Sequence, residues 1–205
     1  MVSLIGVGAK IPAAFLNALA NAANAGGLVL IPPSAVTGTG VTKTPLGKVT
    51  FITATSVNVA GVFSSTYDNY LIKIDATMSG LAAITMQLAS GGTADTSANY
   101  DQQAISGAGT TTPVSSQTLA GTSWTLSAAS QALQKVGVEL DAVALATVTT
   151  GSATAIATPN PPTAAAATAV RQVTSRVPGA YDGFVIAAAS GTMSGTVRVY
   201  GYNNG

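Results

Sequence analysis

The chain of 205 residues contains no cysteine and no histidine. The first absence excludes disulfides and thiolate metal sites, so stability has to come from packing and association. The second removes the commonest general base, the commonest transition-metal ligand and every Ser–His or Cys–His nucleophile pair. Charge is scarce as well: 7% of residues, against roughly 25% in an ordinary soluble domain. So little charge leaves an uncharged, small-residued exterior, unlike the skin that keeps a monomer soluble, and points to cover by copies of the chain or by partners. The net charge is +1, and the eight basic residues run from Lys10 to Arg198 without a cluster in the sequence. Nucleic-acid binding usually shows a basic stripe, so no nucleic-acid partner is expected. The uncharged stretch from Ala142 to Val170 is broken by Asn160 and Pro161-Pro162. It is not the run of about 20 apolar residues that spans a bilayer, and no membrane insertion is expected. The opening MVSLIGVGAK has neither the basic leader nor the apolar core of a secretory signal, so synthesis in the cytoplasm is expected.

What is present divides into two parts, an N-terminal arm over residues 1–30 and a β-domain over 31–205. Ile11, Phe15, Leu16 and Leu19 recur at helical spacing, with Pro12 at the first turn and Gly26-Gly27 as a stop. A helix this short is marginal alone in water, and its charge-free faces suit docking, which makes these four residues the candidate assembly arm. From Val49 the period changes to two, with Val49, Phe51, Val57 and Val59 alternating with Thr50, Ala54, Ser56 and Asn58 in one long strand. Further strands are expected at 70–77, 81–89, 123–127, 135–141, 169–175, 184–188 and 196–202, separated by Gly, Pro and Ser turns. About eight short strands of this kind indicate an all-β, antiparallel, jelly-roll-like sandwich with a short helical arm.

Chemistry-bearing patterns are sparse. Two carboxylates can cleave glycans without histidine, and Asp95 and Asp101 flank an aromatic in Asp95-Thr96-Ser97-Ala98-Asn99-Tyr100-Asp101. The simpler reading is a turn-capped surface loop, so Asp95, Asn99, Tyr100 and Asp101 form a candidate surface-recognition loop and not a catalytic pair. Glu139 and Asp141 lie two apart on one strand face, solvated or paired with Lys135 or an arginine. The acids lack the spacing of a calcium loop. Gly6-x-Gly8 has neither the third glycine nor the Gly-Lys-Ser/Thr of a phosphate cradle. No cofactor, metal or catalytic residue is expected, and Trp124 reads as a core anchor.

The segment Gly61-Val62-Phe63-Ser64-Ser65-Thr66-Tyr67-Asp68-Asn69-Tyr70 resembles the G-x-F-(S/T)-S-x-Y-D-N-Y turn of a family of small bacteriophage virion proteins. Gly91-Gly92-Thr93 to Asn99-Tyr100 matches that family's glycine-rich stretch before an aromatic, and Asp182-Gly183-Phe184, Ser190 to Thr196 and Val197-Arg198-Val199-Tyr200-Gly201-Tyr202 match its closing strands. The resemblance extends over about residues 28 to 205. It implies a non-enzymatic, jelly-roll-like virion component, such as a tail fibre or minor tail protein, assembled with other virion proteins. Homotrimers are common in such proteins, and the exposed loops would touch a host cell-surface glycan or protein. A head decoration or cement protein is the alternative. The chain departs from the family at Leu81 to Leu88, which lacks the usual arginines, and in the Ala/Thr-rich residues 142–170.

Overall fold

The computed structural model describes residues 27–108, 112–127, 132–141, 143–144, 149–158 and 167–203. The expected arm residues Ile11, Phe15, Leu16 and Leu19 lie outside the described residues. Every regular element among those described is a β-strand, and every pairing between them is antiparallel.

The chain opens with β1 (Gly27–Leu30), β2 (Ala35–Thr37), β3 (Val41–Lys43), β4 (Val49–Ala54) and β5 (Ser56–Ala60). There follow β6 (Asn69–Met78), β7 (Ile84–Ser90), β8 (Thr93–Ala94), β9 (Tyr100–Ala108), β10 (Val114–Gly121) and β11 (Trp124–Thr125). The last five are β12 (Leu133–Asp141), β13 (Thr150–Thr158), β14 (Ala167–Ser175), β15 (Gly183–Ala188) and β16 (Met193–Asn203). They form a ten-stranded sheet in the order β10-β9-β14-β13-β12-β6-β16-β4-β3, with β1 also paired to β16, and a six-stranded sheet in the order β11-β7-β15-β5-β2, with β8 on β7.

The inner faces meet in one apolar core. Phe51, Ile72, Ile74, Val138, Leu140, Val197 and Val199 come from the large sheet, and Val57, Val59, Ile84, Met86, Leu88, Phe184 and Ile186 from the small one, all essentially inaccessible to solvent. These are the alternating β-branched and aromatic positions of each strand, so period two directly selects what is buried. Trp124 is fully buried, edge-on to Tyr100 at 5.1 Å, with its indole N–H donating to the Thr174 carbonyl (3.3 Å).

Three expectations change. The long strand expected from Val49 to Val59 is two strands in different sheets, separated at Thr55, with Thr53 at a φ of 49° just before the break. The sixteen strands among the described residues exceed the expected eight, because β9, β10 and β13 form from Gln-, Ser-, Ala- and Thr-rich sequence and short strands fill the edges. Gly27–Leu30, assigned by sequence to the arm, is an edge strand in register with Tyr200–Asn203.

Candidate recognition surface

Three segments that carry the family resemblance are placed by the fold within the architecture itself. Phe63 packs edge-on against Tyr70 at 4.8 Å and lies 5.8 Å from Phe184, so the turn and the Asp182-Gly183-Phe184 strand share one core cluster. The Tyr70 hydroxyl donates to the Ser64 carbonyl (2.6 Å) and accepts from the Ser64 N–H (2.7 Å), clamping the turn from inside. The Asp182 carbonyl accepts from the Val62 and Phe63 N–H groups, and its carboxylate accepts from the Gly91 N–H (3.1 Å). Gly201 is required by contact: a Cβ there would lie 2.5 Å from the Tyr67 ring. The motif residues therefore hold the fold together.

The candidate recognition loop divides in the same way. Tyr100 is 1% exposed; it is the first residue of β9, its ring lies in the core, and its hydroxyl bonds the Leu88 N–H and the Asp95 carbonyl. It is thus a core residue and not a contact residue of a surface loop, because strand alternation turns it inward. Asp95 accepts from the Ser97 N–H (2.9 Å) and from the Tyr181 hydroxyl (3.0 Å). Burial raises its carboxyl, but these hydrogen bonds outweigh it and hold the group below the usual carboxylate range. Asp101 accepts from the Ala120 N–H (2.8 Å) and pairs with Arg176 (2.7 Å), and both interactions hold its carboxyl low. Asn99 is half-buried, and its carbonyl accepts from the Arg176 N–H. Two low carboxyls, each fixed in structural bonds, are a poor match for glycan cleavage, which needs one carboxyl raised to act as general acid.

The surface that sequence reading missed is the outer face of the large sheet. Directly opposed residues of an antiparallel pair share a face, so the register defines rows across it. Lys73 stands opposite both Gly137 and Arg198, and Lys135 opposite both Asp75 and Ile156. Lys73, Lys135 and Arg198, distant in sequence, thus surround one depression of about 360 Å³ together with Asp75, Gly137, Thr154, Ile156 and Tyr200. Gly137 forms its floor: a Cβ there would lie 3.1 Å from the Lys73 ammonium. None of the three cations is ion-paired with a described residue. The absence of a basic cluster in the sequence therefore does not carry over to the fold, because strands β6, β12 and β16 are neighbours only in space. No residue spacing could have signalled the depression without the register.

Beside it runs an uncharged row in which Gln117, Gln103, Gln172 and Ser152 face one another across β10, β9, β14 and β13 and lead to Glu139 on β12. Glu139 accepts from the Tyr202 hydroxyl (3.1 Å) instead of pairing with Lys135 or an arginine. Chemically, the face offers amide and hydroxyl groups to polyhydroxylated ligands and a cationic depression to an anionic group. Among the described residues no three acidic side chains converge as a metal site, and no helix is long and apolar enough to cross a membrane. No family model matches the chain, and no curated protein matches it either.

Proposed function

We propose that the chain is a non-enzymatic structural protein of a bacteriophage virion, an oligomeric tail appendage built on a jelly roll and attached through its N-terminal arm. The observation that carries this reading is the strand order. Within the two sheets, β4-β16-β6-β12 lies against β5-β15-β7-β11, the interleaved order of an eight-stranded jelly roll, an architecture common in viral shells and lectins. The remaining long strands, β9, β10, β13 and β14, extend the large sheet beyond β12. The phage-like segments supply the clamps of that framework, as expected if the resemblance is one of architecture. On this reading the outer face of the large sheet touches a host-surface glycan, with Lys73, Lys135 and Arg198 receiving an anionic substituent.

The test is to delete residues 1–26 and measure incorporation into particles by immunoblot. Loss of incorporation with an unchanged β-sheet circular dichroism spectrum supports an anchoring arm, and full incorporation overturns that role. Release of reducing ends from host polysaccharide by the intact protein would overturn the non-enzymatic reading.

A further inference from the structure

Sheet edges expose unpaired backbone groups, and stable proteins keep them short, charged or covered. Among the described residues most free edges follow that rule: β1, β2, β3, β8 and β11 run for only four, three, three, two and two residues. The edge strand β10 does not. It has eight residues, Val-Ser-Ser-Gln-Thr-Leu-Ala-Gly, with no charge and no proline, and Val114 to Ala120 are exposed whichever way they point. Val114 and Leu119 are 65% and 56% exposed, and the exposed Ile105 and Val170 oppose each other on the next strands, β9 and β14. Four of the ten large apolar side chains exposed among the described residues therefore lie on β10 and the two strands next to it. A shallow groove of about 550 Å³ runs along the strand, lined by Gln103, Ile105, Ser115, Gln117, Val170 and Gln172.

We infer that β10 is the contact strand for a second copy of this chain, pairing antiparallel with its own counterpart about a two-fold axis through Ser116. The regular part of β10 is Val114 to Thr118, because the ladder to β9 shifts register beyond Thr118 and Ala120 adopts a φ of 53°. A two-fold axis at the middle of that span sets Ser116 against Ser116, Ser115 against Gln117 and Val114 against Thr118. These pairs are uncharged and of compatible size, so the segment is self-complementary, as an isologous contact requires. A different protein would need charges or side-chain pockets to be selected, and β10 has no charge to offer. Pairing joins two large sheets into one and presents two cationic depressions on a continuous face. A contact one strand wide and, over five residues, about 17 Å long covers less than the roughly 800 Å² per partner of a standard interface. The dimer is therefore expected to be concentration-dependent and, lacking charge, insensitive to salt. The inference stands whether or not the protein is part of a virion.

The test uses the full chain in sedimentation equilibrium and cross-linking. Wild type is expected to shift from monomer to dimer with concentration. S116K combined with T118K puts like charges across the axis and is expected to weaken association by about tenfold, with thermal unfolding retained. Because the chain has no cysteine, the near-isosteric S116C gives a clean second readout that does not depend on the charged variant folding. It is expected to form a covalent dimer on oxidation or with a short bis-maleimide. On oxidation S115C alone is expected not to, since the two Ser115 residues are diagonal neighbours about 7–8 Å apart, whereas S115C mixed with Q117C is. A strict monomer, an oligomer (a trimer included) whose mass the edge lysines leave unchanged, or failure of S116C to cross-link would overturn the inference.

Discussion

Tyr70 joins sequence motif and fold at the scale of one side chain. Its hydroxyl satisfies both the N–H and the carbonyl of Ser64, and Tyr70→Phe leaves both without that partner. The expected cost is about 1–3 kcal/mol, read by urea denaturation. Arg171 presents the opposite case. It is buried at 7% exposure, and among the described residues its Nε has no partner and its Nη2 reaches the Ser127 carbonyl at 3.3 Å, while burial pushes its guanidinium below the usual range. Arg171→Met keeps the apolar stem and removes a desolvated charge, so the variant is expected to be as stable as wild type or more stable by about 1 kcal/mol or more. A fall in melting temperature would show that the charge contributes. Asp95 and Asp101 both titrate below the usual carboxylate range. A depressed folded-state value contributes stability that is present above the unfolded value of about 3.9 and lost as pH falls through the folded one. Acid unfolding below about pH 4 is therefore expected to be shallower in the Asp95→Asn, Asp101→Asn double variant, measured as melting temperature against pH.

Elements with strong alternation were legible before any coordinates. The strands at 70–77, 81–89, 135–141 and 184–188 are found close to their expected bounds as β6, β7, β12 and β15. Their Val, Ile, Leu and Phe residues face the core every second position. The strands not foreseen had no such signal: β10 is exposed throughout, and on β13 the inward positions are Ala153 and Ala155. Alanine and threonine specify neither period, so only pairing with neighbours makes those segments strands. The break between β4 and β5 was hidden for another reason. Alternation continues across it, while the chain turns from one sheet to the other with Thr53 left-handed and its N–H on the Ser194 hydroxyl (2.9 Å). Thr53→Gly keeps that hydrogen bond and removes the left-handed strain on a β-branched residue, so a gain of about 0.5–1 kcal/mol is expected in thermal unfolding. The candidate surface was the least legible part. Tyr100 reads as part of a loop because Asp95 and Asp101 flank it in a turn-like segment, and the cationic depression depends wholly on the register that sets Lys73 against Arg198.

The whole molecule combines few charges with an unequal pair of sheets. Strands β9, β10, β13 and β14 extend the large sheet beyond β12, and that extension bears the exposed apolar side chains and the amide row. The three cations gathered beside it are a sizeable share of the eight basic residues in the chain. Lys73→Glu with Arg198→Glu reverses the sign of the depression, at one exposed and one half-buried position. The double variant is expected to bind intact host cells at least about tenfold more weakly while unfolding at the same temperature, and wild-type binding is expected to fall as salt rises. Binding unaffected by both changes would move the contact away from this face. The most direct measurement of the central claim is immunogold electron microscopy of intact phage particles with antibody against this protein. Gold confined to the tail is the result expected of an appendage, whereas gold spread over the head, or absent from particles altogether, would contradict it.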